Sequence, residues 1–397
     1  MANNNTVLGA AKIAKKDEFY TQLTDIEKEV RHYKKHFKDK VVLCNCDDPF
    51  ESNFFKYFVL NFNKLGLRKL IATCYSTSPI RGKQFDYTVD ADGQMSIFIE
   101  RDQVSGSLIG STANSSRKPY KAVVTTVYDK TGDGGVDMLD IAKLFESGEN
   151  QLEELSGDGD FRSEECISIL KEVDIVVTNP PFSLFRDYIN TIVKYNKKFL
   201  VIGHQNAIKY SDIFPLIKEN KLWLGYGFQG NVGFFESPYE DTAVSSHHKE
   251  GLIRVSGVMW FTNMDIKKRH EDMILVKRYD PKVYGKYINY DGIDVSNTNN
   301  IPCDYEGKMG VPITFMDKYN PDQFELIGVS NVNGLLDDVD IIGEKWITDY
   351  KASGGTGHIT ANMHSLVGYK EDGTPVSYYT RVVIRNKKPE KPLEVNI

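Results

Sequence analysis

Asn179-Pro180-Pro181-Phe182 is a set of residues suited to methylating an exocyclic amine. The amino group of adenine is a poor nucleophile because its lone pair is conjugated into the ring. A catalyst must draw both amino hydrogens toward acceptors and turn that lone pair toward a methyl donor. A residue preceding proline is kept out of the helical region, which applies to Asn179 and to Pro180, and each proline has a fixed φ and no N–H. The Asn179 amide oxygen and the Pro180 carbonyl are therefore expected to converge as two acceptors, with Phe182 offering a flat face to the base. The plainer reading of the same four residues is a rigid turn that ends a strand.

The flanking pattern places this group. An apolar run over 173–178 reads as a buried strand and the amphipathic stretch 183–193 as the helix that follows. Apolar strands over 40–45, 69–74 and 199–203 alternate with helical patterns over 52–65 and 212–219. Strands separated by helices imply parallel βαβ units, with ligands near the carboxyl ends of the strands. The expected fold is α/β: a Rossmann-like sheet with helices on both faces, filling residues 1–265. Within it, the alternating runs Met95–Ile99 and Ala122–Val127 bracket a Ser/Gly/Asn-rich stretch, which predicts a hairpin inserted over about 76–135. After 265 the helical pattern fades, and short strands over 311–315, 324–329 and 376–384 predict a smaller mixed α+β domain, 266–397.

Composition narrows the class. With 397 residues, 41% hydrophobic and 26% charged, the chain reads as globular. No apolar run approaches the ~18 residues of a membrane span, and the first residues lack a signal-peptide pattern, so a cytoplasmic location is expected. Five cysteines without metal-type spacing point to reduced thiols, and no metal is expected. A net charge of −6 argues against indiscriminate coating of nucleic acid and leaves local recognition open. Between Asp265 and Lys286 seven basic residues face four acidic ones. Lys267, Lys268, Arg269, Lys277 and Arg278 are the candidate phosphate contacts there, the alternative being a solvated face.

The usual methyl donor is S-adenosylmethionine, and three stretches fit a pocket for it. Asp47, Asp48, Pro49 and Phe50 close the first strand and open a helix, where a nucleoside's polar groups meet strand ends and a helix N-terminus. Asp160 offers a carboxylate to an adenine amino group and Phe161 a cover for the ring. Phe19, Tyr20 and Thr21 precede a helix beginning near Asp25 and are placed to fold over the methionine end. Caps and a Gly/Asp loop are the plainer readings of the first two.

Taken in order, Phe19-Tyr20-Thr21, Asp48-Pro49-Phe50, Asp160-Phe161 and Asn179-Pro180-Pro181-Phe182 resemble the motifs of N6-adenine DNA methyltransferases with a C-terminal target-recognition domain. The EcoRI-type adenine-specific enzymes are the nearest likeness. Leu200–Asn206, Trp260–Asn263, Met309–Phe315 and Asp317–Pro321 carry it further, over most of residues 10–330. Two departures stand out from the broader methyltransferase pattern. Ser52-Asn53-Phe54 replaces the glycine-rich turn, and the second strand ends in Cys74-Tyr75 without an acidic residue. The resemblance implies methyl transfer from S-adenosylmethionine, leaving S-adenosylhomocysteine, to a flipped adenine of double-stranded DNA. It also implies action as a monomer, and it leaves open whether a cognate restriction endonuclease shares the site, such a partner not needing to be bound. Methylation of an RNA adenine or a protein glutamine, and an inert restriction-blocking relative, are the competing readings.

Overall fold

The computed structural model describes residues 20–46, 49, 52–74, 119–228, 230, 232–236 and 252–391, with the backbone of 87–89 and 95–97. The chain forms two compact units. One takes the residues up to Ala207 with Gly225–Met264, and the other takes Ile208–Leu224 with the residues from Asp265 onward. Residues 208–224 thus group with the second unit, where the Lys218 ammonium donates to the Ile327 carbonyl at 2.8 Å and Trp223 lies under the Arg269 guanidinium.

The first unit is built on a large mixed sheet. Its strands are β1 (Val41–Cys44), β2 (Lys69–Thr73), β3 (Tyr120–Val124), β4 (Gln151–Glu154), β5 (Ile175–Thr178), β6 (Lys198–His204) and β7 (Val258–Thr262). They run in the order β7-β6-β5-β1-β2-β3-β4. The four central strands, β6, β5, β1 and β2, are parallel; β7, β3 and β4 join antiparallel. Every residue of β1, β5 and β7 is buried, which is why these strands read as continuous apolar runs rather than alternating ones. Trp260 and Phe261 in β7 are core residues, against Phe54 and Phe185 respectively.

Helices α1 (Leu23–Val30), α2 (Asn53–Leu60), α3 (Met138–Glu146), α4 (Glu164–Glu172) and α5 (Phe185–Lys194) accompany the sheet. In α5 the buried residues are Phe185, Tyr188, Ile189 and Ile192, one stripe at helical spacing. The helical pattern over 52–65 is two helices, because Asn61 leaves helical geometry at φ −102° before Phe62–Leu65 resumes. A second, antiparallel sheet joins Tyr20–Thr21, Val232–Glu236 and Leu252–Ser256.

One expectation is corrected. The run Ala122–Val127 does not bracket an inserted hairpin; its first part is β3, paired with β2 in the main sheet. Among the described residues a hairpin pairs Tyr87–Val89 with Met95–Ile97, and the Ser/Gly/Asn-rich stretch lies outside them.

The second unit holds a four-stranded sheet in the order Ile293–Asp294, Met309–Pro312, Arg381–Asn386, Phe324–Val329. It also holds a hairpin, Val367–Tyr369 with Pro375–Ser377, and the helices Phe214–Lys218 and Glu344–Ala352. The 311–315 expectation divides, since the strand ends at Pro312 and a 3-10 helix takes over. Likewise 376–384 is two strands. Among the described residues no helix is long and apolar enough to cross a membrane.

Candidate active site

Because β1, β2, β5 and β6 are parallel, their carboxyl ends lie along one edge of the sheet. Asn45 and Cys46 follow β1, Cys74 follows β2, Asn179 follows β5, and β6 ends at His204. Two side chains bind this edge together. Thr178 Oγ1 donates to the Asn45 carbonyl, and the Tyr188 hydroxyl, rising from α5, donates to Asn45 Oδ1. Complete burial pushes the Tyr188 hydroxyl well above its ordinary pKa, with Cys46 nearby adding to the effect, so Tyr188 stays a neutral donor. Cys46 itself turns the chain away from β1 at a left-handed φ of 83°.

Asn179 is only 5% exposed. Its Nδ2 donates to Thr21 Oγ1 at 3.4 Å, so the N-terminal strand and the tetrad meet across 158 positions of sequence. Thr21 is itself fixed twice: its carbonyl accepts from Asn53 Nδ2 at 2.8 Å, and its backbone pairs with Phe235. Tyr20 beside it is half-buried and pairs with Glu236. Pro180 is buried, while Pro181 and Phe182 are half-buried. The chain turns at Phe182, with Leu184 N–H donating to the Pro181 carbonyl at 2.9 Å. The Phe182 ring meets the His204 ring edge-on at 6.3 Å. The tetrad is thus a turn that presents side chains at the strand ends.

The loop before α4 reaches the same edge. Gly159 has φ 79°, and a Cβ there would fall 2.2 Å from the Cys74 carbonyl oxygen, so the loop crosses the end of β2 at a distance only glycine tolerates. The Phe161 ring contacts the Tyr188 ring edge-on at 5.0 Å, and Arg162 covers it at 5.2 Å. Both Asp160 oxygens accept from Arg162, at 2.9 and 2.6 Å. That bond holds the Asp160 carboxyl below its ordinary pKa, and what remains for a nucleoside is its other lone pairs. Gly159→Ala is expected to destabilise this unit by about 2 kcal/mol, through positive φ and the backbone clash. A calorimetric melting scan measures it; an unchanged midpoint would mean the loop clears Cys74 by more than the structure shows.

Residues 7–387 match the family model described as the adenine-specific methyltransferase EcoRI. The chain belongs to this family. This adenine-specific methyltransferase is 43% identical over 336 residues to the type II methyltransferase M.EcoRI of Escherichia coli, covering 82% of this chain and 90% of that protein. It is 35% identical to M.MgeORF184P of Mycoplasma genitalium and to M.MpnI of Mycoplasma pneumoniae, both also type II methyltransferases, in each case covering 82% of this chain and 87% of the relative. No solved structure matches it.

In the methyltransferase, the residues expected to form the site fall into three groups. Thr21, Asp160, Phe161, Asn179 and Phe182 come to the strand-end edge with their neighbours Tyr20, Pro180 and Pro181, and Pro49 is a buried turn residue. Phe19, Asp47, Asp48 and Phe50 lie outside the described residues. The basic candidates belong to the second unit, and several are engaged within it. Lys268 pairs with Asp317 at 2.6 Å; Arg269 lies 3.8 Å over the Trp223 ring and donates to Asn220 at 2.6 Å; Arg278 bridges Asp304 and Glu390. Lys267 and Lys277 remain exposed, Lys267 4.0 Å from Glu271. Asn45, Asn53 and Tyr188 were missed from sequence. The only signal for Asn53 was its place in the turn where glycines are usual.

Proposed function

We propose that this site-specific DNA adenine methyltransferase takes its target adenine, rotated out of the duplex, at the strand-end edge formed by Asn45, Cys74, Asn179 and His204. The single observation that supports this most is the buried Asn179, fixed from behind by Thr21 and followed by two prolines and Phe182. The parallel core of the sheet is read as the Rossmann-like fold of S-adenosylmethionine-dependent enzymes. The cofactor, when bound, supplies an activated methyl group and leaves as S-adenosylhomocysteine. The residues present suit it: the Asp158–Phe161 loop crossing β2, the end of β1 at Asn45 and Cys46, and the half-buried ring of Phe161 are the groups that would hold its nucleoside.

Asn179 Oδ1 and the Pro180 carbonyl accept the two amino hydrogens of the adenine, and Phe182 stacks on the ring. These hydrogen bonds strengthen as positive charge develops on the nitrogen, so they favour the transition state over the ground state. Rotation of the base out of the helix costs a few kcal/mol, and stacking returns ~1–3 kcal/mol. Flipping is therefore nearly balanced, and phosphate contacts tip it.

The second unit is assigned to target recognition, with the enzyme acting as a monomer in the cytoplasm beside an endonuclease of the same specificity. Since Lys268, Arg269 and Arg278 are engaged internally, the phosphate role is assigned to Lys267 and Lys277. Converting both to alanine is expected to weaken binding on all sequences and to flatten the log K against log salt slope by about 0.9 per contact. Anisotropy titrations of a labelled duplex across salt concentrations measure this; an unchanged slope moves the DNA face elsewhere. Mapping methylated adenines in DNA from cells expressing the chain tests activity, target atom and sequence together, and DNA without N6-methyladenine would defeat the reading.

A further inference from the structure

We propose that Ile274 and Val276 form an apolar reading edge on the second unit, set against the 5-methyl groups of thymines in the major groove of the DNA substrate. The assignment rests on the reading of that unit as the one that recognises the target. The two side chains are exposed and at the same time fixed. Ile274 is 90% exposed and Val276 72%. Met273 and Leu275, which alternate with them, are half-buried, so successive residues face inward and outward as on a strand. Both backbone groups of Met273 are taken by the buried side chain of Gln323. The Met273 N–H donates to Gln323 Oε1 at 2.7 Å, and the Met273 carbonyl accepts from Gln323 Nε2 at 2.8 Å. At the other end the Lys277 carbonyl accepts from Cys303 N–H at 2.8 Å, and Tyr279 N–H donates to Asp304 Oδ1 at 2.8 Å. Scattered exposed aliphatic side chains are normal on a surface. A pair turned outward by a chain pinned on both sides is instead preorganised for a partner.

The surroundings select that partner. Ile274 and Val276 lie within the basic stretch 265–286, and the exposed Lys277, Lys282 and Lys286 follow them. Cations beside an aliphatic edge suit a partner that is anionic outside and carries apolar groups set back from its charge. Duplex DNA has this form, with phosphates along the groove edges and the thymine methyl as the apolar group on a base edge in the major groove. The dimensions agree. An extended chain sets residues i and i+2 about 6.6 Å apart, close to two base-pair steps of about 3.4 Å each. The major groove, about 12 Å wide, admits paired extended chains, and this segment is bridged to a neighbouring one through Lys277 and Pro302. Phosphate contacts from the lysines hold the duplex without regard to sequence, whereas the two aliphatic side chains distinguish thymine from the other bases.

The test is a double-mutant cycle across the interface. Long unmethylated duplexes are copied from genomic DNA with either thymidine or deoxyuridine triphosphate, so that they differ by the methyl alone. The kcat/KM for methyl transfer is then measured on both with the wild-type chain and with a variant carrying Ile274→Ser and Val276→Ser. The wild type is expected to lose about fourfold for each contacted methyl withdrawn, the worth of one buried methyl. The variant should lose as much on the thymine duplex and nothing further on the uracil duplex, with its melting midpoint unchanged because both positions are exposed. A variant as fast as wild type on thymine DNA overturns the inference. So does a variant that loses the wild-type factor when uracil replaces thymine, since the methyls are then read elsewhere. Sedimentation that finds a wild-type dimer and a monomeric variant also overturns it, because the edge then joins two copies of this chain. If neutralising Lys267 and Lys277 flattens the salt slope while the cycle shows no coupling, this inference alone fails; if neither responds, the reading of the second unit fails with it.

Discussion

Asn179→Ala is expected to slow methyl transfer by about a hundred- to a thousandfold while leaving the affinity for S-adenosylmethionine within a few-fold of wild type. A hydrogen bond to a group becoming charged is worth about 1.5–3 kcal/mol, and a preorganised group facing developing charge costs about 10²–10³ in rate when removed. Asn179 is both: buried, held from behind, and set on a strand end that cannot follow a retreating substrate. The residues assigned to the cofactor belong to other segments, the ends of β1 and β2 and the Asp158–Phe161 loop, so binding should survive. Single-turnover rates measured beside calorimetric titration of the cofactor separate the two effects. A rate within threefold of wild type would remove Asn179 from the chemistry. Loss of rate and affinity together would make it part of the cofactor pocket.

How much of this was legible in the sequence follows from which contacts are local. Strands β1, β5 and β6 were readable because buried parallel strands are continuous apolar runs. The tetrad was readable because its chemistry lies in four consecutive residues. Tyr188 to Asn45 and Asn179 to Thr21 were not, since the partners stand 143 and 158 positions apart and no spacing rule connects them. The run Ala122–Val127 was misread for a related reason. An apolar β-branched run looks the same in a local hairpin as in an antiparallel strand of the main sheet, and only the partner, here β2, distinguishes them. The basic segment misleads differently. Charge counting cannot see that Lys268 and Arg269 are taken up by Asp317, Trp223 and Asn220, so it overstates the charge available to phosphate.

The other large effect is expected at Glu29, far from the tetrad in sequence. This carboxylate on α1 is 2% exposed and accepts from the Tyr33 hydroxyl at 2.8 Å, from Tyr226 N–H at 2.8 Å and from Gly227 N–H at 2.9 Å. The chain at 225–227 closes so tightly on it that a Cβ at Gly225 would fall 2.2 Å from Glu29 Oε1. The same loop stacks Tyr226 on His32 at 3.5 Å and Phe228 on Trp260 at 5.8 Å, then enters the strand Val232–Glu236 that pairs with Tyr20 and Thr21. Glu29→Ala leaves one hydroxyl and two N–H groups without their acceptor, the latter partly open to water. At about 1–3 kcal/mol for each group left buried and unsatisfied, a net loss of about 3 kcal/mol is expected. For a unit of this size that lowers the melting midpoint by about 10 °C. Glu29→Gln should lose less, because both the Tyr33 hydroxyl and Tyr226 N–H use Oε1, which glutamine retains, and only Gly227 N–H would face a donor. Differential scanning calorimetry of the two variants checks the order, and wild-type midpoints in both would show that the carboxylate does not hold the loop. Below the transition, Glu29→Ala should also transfer methyl more slowly, because a loosened 225–230 segment releases the strand that keeps Thr21 against Asn179.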